Sequence, residues 1–540
     1  MPMRSNLTVL ATACSLVFAC VSAHAAEETR SLEELRNTVV NLLEALVQKG
    51  VMTREQAQSM VANAQTKAAE EAKAAAAQDA AEQGAVRVTY VPEIVKQQIR
   101  QQVKDELRGE VTKDVVAQAR DEQWGVPGAL PSWVSRFTFS GDIRLRGEDD
   151  LFATGNATNT YLDFLTVNSR GGVGKAGDAA LLNVTEDRLR ERLRLRLGID
   201  ALLTNGVHAG VRLSSGNTTD PVSTNQTLGQ TGARYQTVID QAYLRFDANP
   251  NAQLPWMTVW AGRTPNPWVS TDLVWDLDLN FEGVAGSWRY GFGGKGETPS
   301  NVFLTLGAFP LQEVELSSKD KWLYGAQLGV DLPWSGGGRA RVAAAYYYFD
   351  NFTGVRNAPD STLTDYTAPK WIQKGNTLFD IRNDTDPTTN LYALAADYHL
   401  LDVVAAAELP VFGYKLLVTG DYVRNLGFDQ AKVFALTGSV VDKRVNGYQV
   451  EVGFGSSQTG RRSDWRAYWT YRYLERDAVF DGFTDSDFHL GGTDAKGYIL
   501  RGDWWFRDRT WVSLRYMTSN EIDGPPLGID TIMLDINGQF

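Results

Sequence analysis

Five arginines stand on alternate positions, Arg188, Arg190, Arg192, Arg194 and Arg196, in the stretch EDRLRERLRLRLGIDALL. A helix turns every 3.6 residues and would scatter them around its circumference. A strand gathers all five on one face and sets Leu193, Leu195, Leu197 and Ile199 on the other. Asn205-Gly206 then supplies a tight turn. After it, Val207, Ala209, Val211 and Leu213 resume the apolar row opposite His208, Gly210, Arg212 and Ser214. The stretch is a hairpin with one apolar and one charged face. Taken alone it fits a soluble antiparallel sheet lying on a core; the remainder of the chain reverses that reading.

Beyond the N-terminus no apolar run reaches the ~18 residues that a membrane helix needs. Barrel strands, however, cross a membrane on alternation alone. About sixteen alternating runs follow Pro131: Phe137–Arg146, the two arms of the arginine hairpin, 238–247, 256–263, 281–290, 302–309, 322–332, 340–349, 391–401, 411–423, 447–455, 465–475, 497–506, 511–518 and 530–540. An even number is what a bacterial barrel requires, and the connections alternate long and short as its outer loops and periplasmic turns do. Trp322, Tyr324, Ala326, Leu328, Val330 and Leu332 share one face, as do Tyr448, Val450, Val452 and Phe454. These rows suit lipid, and the arginines then face water inside. The fold class expected is an antiparallel transmembrane β-barrel preceded by an α-helical segment.

Residues 1–25 read as a secretory leader, with Arg4, an apolar stretch and a small-x-small site at Ala23-His24-Ala25. Both cysteines, Cys14 and Cys20, lie within it, so the mature chain is expected to carry no disulfide. Residues 26–123 have helical texture, and Leu32, Leu35, Val39, Leu42 and Leu46 are spaced as a coiled-coil seam. Solvated amphipathic helices and an oligomerising periplasmic spacer both satisfy that pattern. Residues 124–135, with Pro127 and Pro131, form a linker, and 136–540 the barrel. The formal charge of −12 excludes the basic domain that a nucleic-acid partner calls for.

Several stretches together resemble the putative-porin family of Gram-negative outer membranes: VRVTYVPEIV from Val86, FSGDIRLR from Phe139, AGRTPNPW from Ala261, LVWDLDLN from Leu273, VTGDYVRN from Val418 and TDSDFHLGG from Thr484. The terminal Phe540, closing an alternating strand, resembles the signal read by the barrel-assembly machinery. The likeness covers most of the mature chain. It implies an outer-membrane channel for small hydrophilic solutes, a homotrimer, and a third outer loop folded inward to narrow the pore.

Chemistry of other kinds finds little support. His208, His399 and His489 are scattered, and none joins a nucleophile–base set, so neither an enzyme nor a cofactor is expected. Asp481, Asp485, Asp487 and Asp494 suit either a hydrated loop or calcium, which takes hard oxygen ligands. The candidate pore lining is Arg144, Arg146, Arg188, Arg190, Arg192, Arg194, Arg196, Arg212, Arg245 and Arg263, facing Asp272, Asp276, Asp278 and Glu282 of the third outer connection and its border. Were that connection extended, Asp276, Asp278, Asn280 and Glu282 would share a face at about 6.6 Å intervals. The charges would then either set up a transverse field or pair and stiffen the wall. The alternative function is structural: the barrel anchors, and the helical segment tethers the envelope, peptidoglycan included.

Overall fold

A computed structural model describes residues 133–540 apart from 253, 293–298, 316 and 335, together with Ser59, Ala62, Thr66, Lys67 and Ala69. Those five are helical. The leader, the rest of the helical segment with its coiled-coil seam, and linker residues 124–132 lie outside the described residues. Two compact units divide the chain, Met1–Asp114 and Val115–Phe540, and the barrel belongs to the second.

Sixteen strands make it: β1 Phe137–Phe152, β2 Arg188–Thr204, β3 Val207–Ser215, β4 Thr237–Ala248, β5 Met257–Thr264, β6 Phe281–Phe292, β7 Ser300–Gln312, β8 Lys321–Trp334, β9 Gly338–Asp350, β10 His399–Val411, β11 Tyr414–Asn425, β12 Asn446–Ser456, β13 Trp465–Leu474, β14 Ala495–Arg507, β15 Thr510–Glu521 and β16 Gly528–Gln539. Each pairs antiparallel with its sequence neighbours, and β16 returns to β1 from Asp142↔Gln539 to Phe152↔Ile529. Closure leaves no sheet edge, so every backbone group at membrane depth has a partner within the ladder. Phe540 adds a last rung: its N–H donates to the Gly141 carbonyl at 3.0 Å, and Gly141 N–H donates back at 3.2 Å.

The expected strand at 391–401 is displaced by eight residues. The chain enters β10 only at His399, and Tyr392–Leu394 instead pairs with Leu378–Asp380 in a separate two-stranded piece. The cause is local. Leu400 and Val404 face inward and are buried, while Leu401 and Val403 face outward, so the strand is apolar on both sides and its start shows no alternation.

Elsewhere the two faces separate cleanly. Leu195, Leu197 and Ile199 are about two-fifths exposed although apolar, which is sensible only against hydrocarbon. Glu191 is the exposed exception on that row. Aromatic girdles bracket the apolar band: Trp322, Tyr324 and Tyr348 stack toward the end with long connections, and Tyr414, Phe454 and Trp465 cluster toward the end with short ones. Interfacial Trp and Tyr suit this place because an apolar ring carries a polar tip. Every connection of more than eight residues (153–187, 216–236, 265–280, 351–398, 426–445 and 475–494) leaves from one end, where the shorter 313–320 and 522–527 lie as well.

Candidate functional site

The inner wall of β1 and β2 is a mosaic of both signs. Asp142, Arg144, Arg146, Glu148 and Asp150 take the inward positions of β1 and stand opposite Arg196, Arg194, Arg192, Arg190 and Arg188 of β2. Paired facing positions lie about 4.5–5.5 Å apart at Cβ, so long side chains meet both directly and diagonally. Arg194 reaches Asp142 at 2.9 Å and Arg196 reaches it at 2.8 Å. Arg190 and Arg192 share Glu148, the latter at 3.0 Å. Arg146 is held by Asp535 of β16 at 2.7 Å, Arg212 by Asp240 at 2.5 Å and Arg245 by Asp247 at 2.9 Å. Arg144 differs: it donates to Asn225 at 2.5 Å, and among the described residues no carboxylate lies within ion-pair distance of it. Arg188, at the outer end of β2, is exposed.

The third and seventh connections fold inward and bring carboxylates to the network. In the third, 265–280, the apolar residues Trp268, Leu273, Val274 and Trp275 are buried. Trp275 packs its ring on Tyr347 and Phe281, with centroids 5.0 and 5.2 Å apart. Gln327 of β8 clamps Val269 through both its N–H (2.9 Å) and its carbonyl (2.8 Å), and Thr271 donates to Asp421 of β11 at 2.5 Å. These anchors pull the segment into successive turns rather than an extended run. The three aspartates therefore diverge. Asp278 alone meets the arginine wall, at 3.1 Å from Arg196 and 3.8 Å from Arg194. Asp272 crosses to Arg472 of β13 at 2.6 Å. Asp276 accepts backbone N–H groups from Asp278 (2.7 Å) and Ser486 (3.1 Å). Arg263 and Glu282 pair with each other at 2.6 Å, just beyond Gly262 and Gly283. That facing glycine pair has φ of +116° and +135°, backbone that only glycine adopts readily. The expectation that Asp272, Asp276 and Glu282 face the ladder is thus corrected, and so is Arg263's place in it. The reason is the turn geometry that Trp275 and its neighbours impose.

The seventh connection, 475–494, supplies what the third does not. Asp487 reaches Arg146 at 2.8 Å, Arg515 of β15 at 3.2 Å and Arg192 at 3.9 Å. Asp485 reaches Arg472 at 2.9 Å. Burial opposes ionisation of Asp487, but Arg146, Arg515 and Arg192 outweigh it and hold its carboxyl well below the usual carboxylate range. Asp278 is held low in the same way by Arg194, Arg196 and Arg144 against its burial. Asp276, with no cation beside it, is pushed up by burial and by Asp485 and Asp278. Among the described residues no three His, Cys, Asp or Glu side chains converge as a metal site. Asp485 and Asp487, the two central members of the supposed calcium set, are engaged by arginines.

Sequence reasoning missed Asp142, Glu148 and Asp150, though their even spacing with Arg144 and Arg146 was the signal. It also missed Arg472, Arg515 and Asp535, single charges in otherwise ordinary strands. Their importance comes from what faces them across the barrel.

The interior is not filled. A cavity of about 340 Å³ lies beside the third connection, where Asp272 and the 80% exposed Leu277 meet Arg339, Arg341 and Arg501 of the far wall. Another, of about 640 Å³, opens at the end of the short turns between Asp142, Arg196, Arg212 and Phe540.

No curated protein matches the chain in sequence. Among solved structures, Pseudomonas putida OprB at high pH has 13% identity and a TM-score of 0.44, covering 77% of this chain and 97% of its own. The outer membrane channel DcaP of Acinetobacter baumannii has 13% identity and a TM-score of 0.37, with 75% and 97% covered. Salmonella typhi OmpF in complex with daunomycin has 10% identity and a TM-score of 0.38, again with 75% and 97% covered. The family described as putative porin matches residues 36–540. With its closed sixteen-stranded barrel, the chain belongs to that family of outer-membrane channels.

Proposed function

We propose that the protein is a passive-diffusion channel that lets small hydrophilic solutes and ions cross the outer membrane through its charge-lined interior. One observation carries the reading. Midway along β2, Arg194 and Arg196 face Asp278 of an inward-folded connection, so charges of both signs border the remaining space. Charged linings of this kind discriminate solutes by size and polarity. Because most of these arginines are paired, the wall is both stiff and polar, and the two earlier readings of the charges merge into one.

The same proposal includes trimeric assembly, a periplasmic place for residues 26–123 after removal of the leader, and Phe540 as the assembly signal. Loss of Phe540 removes the last rung to β1, and heat-modifiable barrel should then fail to accumulate in the outer membrane while synthesis and export continue. The deciding experiment is conductance of the purified protein in planar bilayers. Stepwise ohmic currents are expected. Correctly inserted protein that passes no current would overturn the channel and leave the envelope anchor as the function.

A further inference from the structure

The mouth at the end of the long connections holds a second kind of site, away from the arginine wall. A cavity of about 360 Å³ lies there between connections 216–236, 265–280, 351–398 and 475–494, within the size of small-molecule pockets. Its walls are aromatic: Phe281, Phe309, Phe352 and Phe480, with Trp371. Two lysines also line it. Lys321 is 1% exposed, and its ammonium donates to the Gln312 side-chain carbonyl (3.0 Å) and to the backbone carbonyls of Thr367 (3.0 Å) and Ala368 (3.2 Å). It also stands 5.9 Å from the Phe352 ring. All these partners are neutral. Lys370 is exposed, and among the described residues neither lysine has a carboxylate within ion-pair distance. The cavity's other charges, Arg263 and Glu282, cancel each other at 2.6 Å.

The three acceptors take all three N–H donors of the Lys321 ammonium, so it acts on an incoming anion through its charge, whose field the apolar walls focus into the cavity. An anion placed there is attracted by both lysines and meets no carboxylate that lacks a partner. A flat ring is held by edge and face contacts with the five aromatic side chains. The floor includes Asn280, which bonds Asp240 at 2.7 Å and accepts from Arg212 at 3.4 Å. Arg212 of the arginine wall thus stands directly behind the cavity.

We propose that this cavity is a capture subsite for aromatic carboxylates, which dock beside Lys321 and Lys370 before moving on to the arginines. The proposal rests on the channel reading and adds a solute class to it. The test uses the full-length protein in planar bilayers, with sodium benzoate added on the side of the long connections. Benzoate is expected to interrupt the current in a concentration-dependent way. Acetate, which lacks the ring, and benzyl alcohol, which lacks the charge, should do so only at far higher concentration. Lys370→Gln should raise the half-blocking benzoate concentration about tenfold, equivalent to roughly 1.4 kcal/mol, and Trp371→Leu should weaken benzoate without changing the response to acetate. Equal block by acetate or by benzyl alcohol overturns the subsite, as does benzoate block unchanged by Lys370→Gln. If no current flows at all, calorimetric titration of the detergent-solubilised protein with benzoate separates the two ideas. Binding that Lys370→Gln weakens keeps the subsite and sinks the channel; no binding sinks the subsite as well.

Discussion

The barrel has two unlike halves. The wall of β1–β3 with β15 and β16 turns charges inward, and what approaches it is polar: Ser223 and Asn225 of the second connection, Asp278 of the third and Asp487 of the seventh. The wall of β6–β11 turns Phe281, Phe309, Leu323, Tyr347, Phe349, Leu400 and Val423 inward. There the third and fifth connections fold down and cover it, burying Trp275, Phe379, Ile381, Leu394 and Tyr398. Strand geometry is the same in both halves. The difference lies in what the inward positions would meet: water satisfies arginine and aspartate, whereas each large apolar side chain gains ~1.5–3 kcal/mol by leaving it. Loop placement follows from that contrast.

Removing the anchor of the apolar half should have the largest effect. Trp275→Ala deletes a ring that is 1% exposed, and such a change costs about 3–5 kcal/mol. Urea unfolding of micelle-bound protein should report the loss, and single-channel records should become larger or noisier as the third connection loosens. An unchanged midpoint would mean that the apolar half does not hold the loop.

The next test asks whether the two faces of β2 are correctly assigned. Leu195→Arg puts a charge into hydrocarbon and should destabilise the barrel by about 2–4 kcal/mol near the midplane. The neighbouring Arg194→Gln should fold. If the outcomes are reversed, the barrel is inside out.

Smaller is the effect of neutralising the charged half. The triple change Arg192→Gln, Arg194→Gln and Arg196→Gln frees Asp142 and Asp278 from their arginines, while Glu148 keeps Arg190. These arginine side chains are only 14–19% exposed, so leaving their carboxylates unpaired has a cost; the Gln amides can still donate to them, and the protein should still assemble. Reversal potentials should shift toward cations at low salt. The shift should shrink at 1 M salt, where the Debye length is ~3 Å. A fixed reversal potential at low salt would remove these arginines from the ion path.

The mildest effect concerns pH at the seam between the fifth and seventh connections. Asp481 is fully buried there, its carboxylate accepts from the Gln373 N–H while its own N–H donates to Asn376 Oδ1, and burial pushes it up to about 7. Asp494 is pushed up to about 7 by burial and by Glu521. Both folded-state values exceed the unfolded value of about 3.9. The folded seam therefore holds protons that the unfolded chain releases. Its stability is greatest below about pH 4 and declines as pH rises to 7. Buried His489, lowered by burial and by Lys374, works in the opposite sense below its own unfolded value of about 6.5. Protection from hydrogen exchange across 476–494, taken relative to the intrinsic rate at each pH, should fall severalfold between pH 6 and pH 8, and Asp481→Asn should blunt that response. Protection that holds or rises over this interval would show that the seam is not governed by its aspartates.

Much of the barrel was legible because a membrane strand must alternate. Arg188 to Arg196, Trp322 to Leu332 and Tyr448 to Phe454 each declare an inside and an outside, and a turn such as Asn205-Gly206 sets the pairing that follows. Even count, closure through Phe540 and long connections gathered at one end follow from those local patterns. The start of β10 was not legible, since Leu400 to Val404 carries apolar residues on both faces and period-2 contrast vanishes.

What the amino-acid order determined by itself is the set of faces: which residues meet lipid, which meet the interior, and where the chain turns. Those properties depend on neighbours within a strand or across a hairpin. Which charges meet was decided only by the tertiary structure. Asp278 finds Arg194 and Arg196, Asp272 finds Arg472, and Asp487 joins Arg146, Arg192 and Arg515, all of them on other elements of the chain. The physical reason is that a loop's charged groups go where its apolar groups carry them. The burial of Trp268, Leu273 and Trp275 sets the position of the third connection, and its aspartates then take the nearest cation or backbone N–H that the closed barrel presents.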